Sequence, residues 1–308
     1  MSVNRFSGAA AVGAFLLLLT APCSAADAEM AKKFAAFSPG ASAKLVQSFI
    51  EYWEFAEKAG INNDLRIQHF IAQVATETGG LRRIDENLSY RPARLLKVFK
   101  SRVSRADAQR LAHDPIATAN HVYCYRRDLG NGGPNDGWDY RGSGFLQLTG
   151  KANFEARGKE VGLPLGANPE LARQPREGMM AAAAYWKSKR INAAADKDDL
   201  VRVRALVNGG SNGLPEAKIW LARAKRYFAA KTTAPQESAS KREEARAVQD
   251  LLASMGVLVK GPEESVSRNQ FRDALKEFQK SRGIPQTGEY NDETLYKLTD
   301  RDDRFSDY

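Results

Sequence analysis

Apolar residues recur at helical spacing over Asp64–Thr78, Arg105–Leu111, Glu177–Lys189 and Pro215–Phe228, separated by loops rich in Gly, Asn and Pro. In the first of these, Ile67, Phe70, Ile71, Val74 and Thr78 share one face. Few segments alternate with period two, so any sheet is minor and the fold class is mainly α. Residues 229–240 (AAKTTAPQESAS) have no apolar period and read as a linker. Beyond them Glu243–Met255 and Ser267–Arg282 are amphipathic, and Asn291–Leu298 makes a third short helix. The pattern predicts a large helical domain at 27–229, a linker at 230–241, a small three-helix bundle at 242–300 and a charged tail at 301–308.

The N-terminus is patterned differently. Arg5 precedes an apolar core, Ala9 to Thr20, followed by Pro22-Cys23-Ser24-Ala25-Ala26. A basic start, a short apolar core and small residues at its end predict a signal peptide at 1–26, cleaved after Ala25 or Ala26. The core is shorter than the ~20 residues needed to span a bilayer, which disfavours a retained anchor. The expected location is periplasmic or secreted, with no membrane association after cleavage. Loss of Cys23 with the signal leaves Cys124 without an internal disulfide partner, so stability must come from packing. His69, His113 and His121 are scattered and have no Cys partner at metal spacing, so no metal and no other cofactor is expected.

Charge narrows the choice of partner. The 308 residues carry 46 Lys and Arg against 37 Asp and Glu, a net +9. Residues 241–308 hold 12 basic and 14 acidic side chains; with Arg5 set aside, +10 falls on 27–240. A basic surface of that size attracts polyanions. For an exported chain, cell-wall polymer fits that role and nucleic acid does not. Ordinary solvated helix faces explain any single one of these cations equally well.

The chemistry begins at the end of the first strongly periodic helix. Glu77 lies about 20° from Phe70 around the helix axis, on the edge of the apolar stripe, and Gly79-Gly80 stops the helix. Partial burial and the negative helix end both favour a protonated carboxyl there, which is what a general acid requires. Nine residues on, Glu86 stands in Ile84-Asp85-Glu86-Asn87-Leu88-Ser89-Tyr90, far enough to turn back across a cleft. Two carboxylates in different settings can divide the work, one protonating a leaving oxygen and the other activating water. Trp138 to Phe154 then mixes aromatics, glycines and neutral hydrogen-bonding side chains, as a sugar-binding groove does. Tyr140, Arg141, Gln147 and Asn153 are candidate binding residues there, and Asn208 is another in the polar loop 207–213. A helix-end Glu pointing to water, and tight turns whose Asn and Gly merely permit positive φ, account for the same residues without function.

Taken together, Glu77-Thr-Gly-Gly, Glu86-Asn-Leu-Ser-Tyr, Tyr140-Arg-Gly-Ser-Gly-Phe-Leu-Gln-Leu-Thr-Gly, Asn168-Pro-Glu-Leu and Asn208-Gly-Gly resemble the family 19 glycoside hydrolases. These are chitinases and related bacterial and phage cell-wall lysozymes, and the resemblance covers roughly residues 40 to 228 in the family's order. It implies a lysozyme-like, two-lobed helical domain and hydrolysis with inversion at the anomeric carbon. Glu77 matches the general acid, Glu86 the general base, and Thr149 the residue that helps hold the nucleophilic water. Gln147, Asn153 and Asn208 match substrate-binding side chains.

Three positions depart from the pattern. Thr76 stands where many relatives have His, Ser143 where many have Arg, and Ala217 or Lys218 where the family has an Arg. The C-terminal piece resembles the small three-helix peptidoglycan-binding domain of bacterial wall enzymes, in Ala247-Val-Gln-Asp-Leu-Leu, Phe271 to Lys280, Gly283-Ile-Pro and Thr294-Leu-Tyr-Lys-Leu. Such a module on a flexible tether raises the local enzyme concentration at an insoluble polymer. A monomeric wall hydrolase acting on peptidoglycan is the resulting expectation. A chitinase of the same fold, and a non-catalytic wall-binding protein, are the alternatives.

Overall fold

The computed structural model describes residues 25–231, 233–261 and 265–300. Residues 1–24 of the expected signal peptide and the charged tail 301–308 lie outside them. The described residues form helices joined by turns and loops, with isolated bridges linking Asp85 to Ser143 and Ser143 to Leu148. None of the helices described is long and apolar enough to cross a membrane.

Helix Asp64–Thr78 is the axis of the larger domain. Asn63 caps it, accepting from the Arg66 N–H at 2.9 Å, and Gly79 ends it at φ 61°. The apolar stripe predicts one buried face, yet from Gln68 to Thr78 every residue but Glu77 is buried, Gln68, His69, Gln73, Thr76 and Thr78 included. Local bonds make that affordable: Thr76 Oγ1 donates to Ala72 O at 2.7 Å and Thr78 Oγ1 to Val74 O at 2.6 Å. His69 Nε2 lies 2.9 Å from Asp198 Oδ1. Aromatics fill the space around it, with Phe70 edge-on to Trp186 at 5.2 Å and Phe49 edge-on to Phe34 and Phe145 at 5.4 and 5.3 Å. Helix Ala25–Phe37 contributes the fully buried Phe34 and Phe37 to this core.

A second apolar cluster, with Leu88, Leu95, Val103, Leu111 and Val122, forms a smaller lobe from helices Pro92–Val98, Arg105–Leu111 and Pro115–Tyr123. Between the two lobes runs the cleft that holds the candidate site.

The expected linker at 230–241 is corrected by the structure. Helix Ala234–Ser254 begins inside it, with Thr233 and Gln236 forming a reciprocal capping box and Pro235 in the first turn. Thr, Pro, Ala and Ser read as loop by composition, but in this order they start a helix. It packs along helix Leu214–Tyr227, and its Val248, Leu251 and Leu252 join the same core as Phe34 and Trp220. Helices Arg268–Ser281 and Asp292–Thr299 complete the predicted bundle through Leu275, Phe278, Leu295 and Leu298. The C-terminal bundle is therefore docked on the larger domain, not tethered to it.

Candidate active site

Glu77 and Glu86 line one cleft of about 750 Å³ together with Gln147, Thr149, Asn153 and Asn208. Each carboxylate is held by a different device.

Glu77 sits in the last turn of its helix with its side chain 7% exposed, and Arg204 Nη1 meets its Oε1 at 2.5 Å. Arg204, on helix Leu200–Asn208, is fully buried and is fixed in turn: its Nε donates to Asn212 O at 2.7 Å and its Nη1 to Gln73 Oε1 at 2.9 Å. Gly213, at φ 80°, leaves room for that guanidinium, since a Cβ there would fall 2.9 Å from Arg204 Nη2. A buried charge needs a bonded counter-charge, and the guanidinium supplies it.

Glu86 is placed by backbone pairing. Its N–H donates to Gly142 O at 2.9 Å, the Gly144 N–H donates to Ile84 O at 2.7 Å, and the Gly142 N–H returns to Glu86 Oε2 at 3.0 Å. A Cβ on Gly142 would sit 2.7 Å from Gln147 Oε1 and 3.1 Å from Glu86 Oε2, so a larger residue there would displace two side chains that line the cleft. Tyr123 completes the cradle by donating its hydroxyl to Glu86 Oε1 at 2.7 Å. Burial, and then the negative charge of Glu86, push the Tyr123 phenol well above its ordinary range. It remains a donor throughout the pH range in which proteins are stable.

The neutral side chains form one rim. Thr149 Oγ1 donates to Gln147 O at 2.9 Å, so toward a ligand the hydroxyl has only acceptor capacity left. Asn153 Nδ2 donates to Thr149 O at 2.7 Å, and Asn208 Nδ2 to Asn212 O at 2.9 Å. Cations also line the cleft: Arg83 beside the turn that follows Glu77, Arg94 and Lys97 on the smaller lobe, and Lys189 on the larger one. Among the described residues, no group of three or more His, Cys, Asp or Glu stands close enough to hold a metal ion.

Two expected binding residues are corrected. Tyr140 is buried, donates its hydroxyl to Gly166 O at 2.6 Å and packs edge-on to Phe154 at 5.3 Å. Arg141 is buried against the Trp138 ring at 3.7 Å, with Asp85 at 3.6 Å and Glu170 at 3.8 Å. Both support the wall that carries Gly142 and do not line the cleft. The aromatic and cationic character that suggested sugar contact is used for packing.

Arg204 and Tyr123 are the partners of the two carboxylates that sequence reasoning missed. Arg204 had a signal: it interrupts the apolar run Val203-Arg204-Ala205-Leu206-Val207, on a helix whose Val203 and Val207 are also buried. Tyr123 had none, since only the folded smaller lobe brings it to Glu86. Of the departures, Ala217 is buried and Lys218 faces Asp250 at 3.9 Å, and the guanidinium beside Glu77 is that of Arg204. Ser143 is buried and donates its hydroxyl to Arg141 O at 2.8 Å.

The chain is similar to known proteins in both of its parts. Residues 241–298 match PG_binding_1, a peptidoglycan binding domain family. Over 162 residues the chain is 34% identical to a glycosyl hydrolase family 19 domain-containing protein of Haemophilus influenzae, covering 52% of this chain and 78% of that one. An endochitinase of Arabidopsis thaliana is 29% identical over 107 residues, 32% of this chain and 38% of its own length. Among solved structures, chitinase C from Streptomyces griseus superposes with a TM-score of 0.42 at 20% identity, over 71% of this chain and 74% of that one. The similarity to the Haemophilus protein covers more than three quarters of that protein's length, and the chain belongs to glycosyl hydrolase family 19.

Proposed function

We propose that the protein is an exported wall hydrolase that cleaves β-1,4 links of peptidoglycan with inversion. The observation that carries this reading is the pair of carboxylates in one cleft, one backed by a guanidinium and the other cradled by two donors. Glu77 protonates the glycosidic oxygen, and Arg204 stabilises the carboxylate left behind. Glu86 accepts a proton from water held between it and Thr149 on the opposite face of the sugar, and that water attacks the anomeric carbon. The Tyr123 and Gly142 bonds keep Glu86 oriented for this task.

Peptidoglycan is favoured by the C-terminal match and by the cleft cations. Its stem peptides carry carboxylates, whereas chitin is uncharged, so only the first polymer brings carboxylates to the face that Lys97 and Lys189 line. Chitin is the second reading, favoured by the similarity to the Arabidopsis endochitinase. A Lys97→Ala/Lys189→Ala double variant separates them. Two solvent-screened contacts of ~0.7 kcal/mol each amount to about tenfold. Digestion of purified peptidoglycan is expected to slow by that factor, while cleavage of a chitin hexamer stays within about twofold of wild type. Equal losses on both substrates, or none on either, would remove the cations as a basis for substrate choice.

A further inference from the structure

The turn that follows Glu77 is held from two sides, and one of them is the C-terminal bundle. Gly79, Gly80 and Leu81 all lie in the left-handed region, at φ 61°, 78° and 60°. For Leu81 that conformation is costly, so surrounding contacts must hold it. The turn's amides close back on the helix end: Gly80 N–H donates to Ala75 O, Leu81 N–H to Thr78 Oγ1, and those of Arg82 and Arg83 to Thr78 O. On one side, Ser38 Oγ donates to Gly80 O at 2.7 Å and the Ser42 N–H to Leu81 O at 2.9 Å. On the other, the Arg82 guanidinium lies 5.0 Å over the Tyr296 ring, and Arg83 donates to Asp300 Oδ1 at 3.0 Å. The Tyr296 hydroxyl also accepts from the Gly40 N–H, tying together the two segments that flank the turn. Gly40 permits this approach, because a Cβ would fall 2.7 Å from the Tyr296 ring and push it aside.

Tyr296 and Asp300 sit on and just beyond the last helix of the peptidoglycan-binding region, yet they grip the segment that leads directly out of the acid's helix. Arg83 lines the catalytic cleft, so Asp300 also fixes where one of the cleft's cations stands. We propose that Tyr296 and Asp300 are positioning residues for the hydrolytic reaction, bracing the Gly79–Arg83 turn and through it Glu77, so that the C-terminal bundle is part of the catalytic unit as well as a wall anchor. This rests on Glu77 being the acid, as proposed above.

The test uses the full chain and a soluble amino-sugar oligomer, on which adhesion to an insoluble wall has no effect. Asp300→Asn and Tyr296→Phe are expected to lower kcat by about tenfold or more with KM within about twofold, as a misplaced acid does. Amide exchange at residues 80–83 should speed up in both variants, and pelleting with insoluble wall should stay at the wild-type level. Asp300→Glu should recover most of the rate. Asp300→Asn is a mild change at a partly exposed position, so loss of folding does not confuse the result. Wild-type kcat in both variants overturns the proposal, whatever happens to pelleting. If wild type cleaves no oligomer, the functional reading itself fails and exchange alone decides: faster exchange at 80–83 keeps the brace, and unchanged exchange removes it.

Discussion

Glu77→Gln is expected to lower turnover about a thousandfold, the scale of a lost general acid, while leaving polymer binding intact. That factor corresponds to about 4 kcal/mol of transition-state stabilisation. The amide matches the carboxyl in size, and the buried guanidinium keeps its bonds to Gln73 and Asn212 and faces a carbonyl oxygen in place of the carboxylate, so the fold is preserved. What it cannot do is deliver a proton to the leaving oxygen. Reducing-end release by the variant, measured beside its pelleting with insoluble polymer, separates catalysis from binding. Lysis at the wild-type rate would remove Glu77 from the mechanism.

Glu244→Ala is expected to destabilise the whole chain by about 3–5 kcal/mol, because it strands buried cations. Glu244 is 5% exposed on helix Ala234–Ser254 and meets Arg223 at 2.9 Å. Its second oxygen meets Arg226, and Tyr290 donates its hydroxyl to Oε1 at 3.0 Å. Burial first, and then the charge of Glu244, push the Tyr290 phenol well above its ordinary range, so it stays a donor. Arg223 also reaches the carbonyls of Phe37 and Ala36 at 2.7 and 2.9 Å, so the cluster joins the N-terminal helix, the larger domain and the C-terminal bundle. Loss of its only carboxylate among these contacts is expected to lower Tm by roughly 10 °C in one cooperative transition. A tethered module would instead melt separately and leave the larger domain's Tm unchanged, and that outcome would contradict the docked arrangement.

The difference between tether and dock shows where the sequence was legible. Helices Asp64–Thr78 and Arg105–Leu111 were marked by apolar spacing and form over those residues, because local pattern and tertiary burial agree there. The segment at 230–241 was misread because composition was weighed over position: Thr233 and Pro235 are loop formers in general but helix starters at a cap and in a first turn. Helix Ala43–Glu51 escaped notice although Ser42 caps it and Leu45 and Phe49 share a buried face, since nine residues are too few to establish a helical period.

The site was legible to the extent that chain-local chemistry determines it. Glu77 followed from its place on the stripe before a Gly-Gly stop, and Glu86 from a turn-back distance. The partners that make them useful come from far along the chain: Arg204 lies on a distant helix and Tyr123 on the smaller lobe. Tyr140 and Arg141 show the opposite error. Residue types that suit sugar binding suit a packed wall equally well, and only burial distinguishes the two uses.

The central claim, an inverting hydrolase of peptidoglycan using Glu77 and Glu86, is tested most directly by anomeric NMR of fresh products from wild-type protein acting on purified peptidoglycan, with product masses alongside. The account predicts muropeptides whose new reducing amino sugar appears first as the α-anomer, inverted from the β-link that was cut. First appearance of the β-anomer would contradict the assignment of Glu86 as a base acting through water. Release of sugars from chitin with none from peptidoglycan would contradict the substrate.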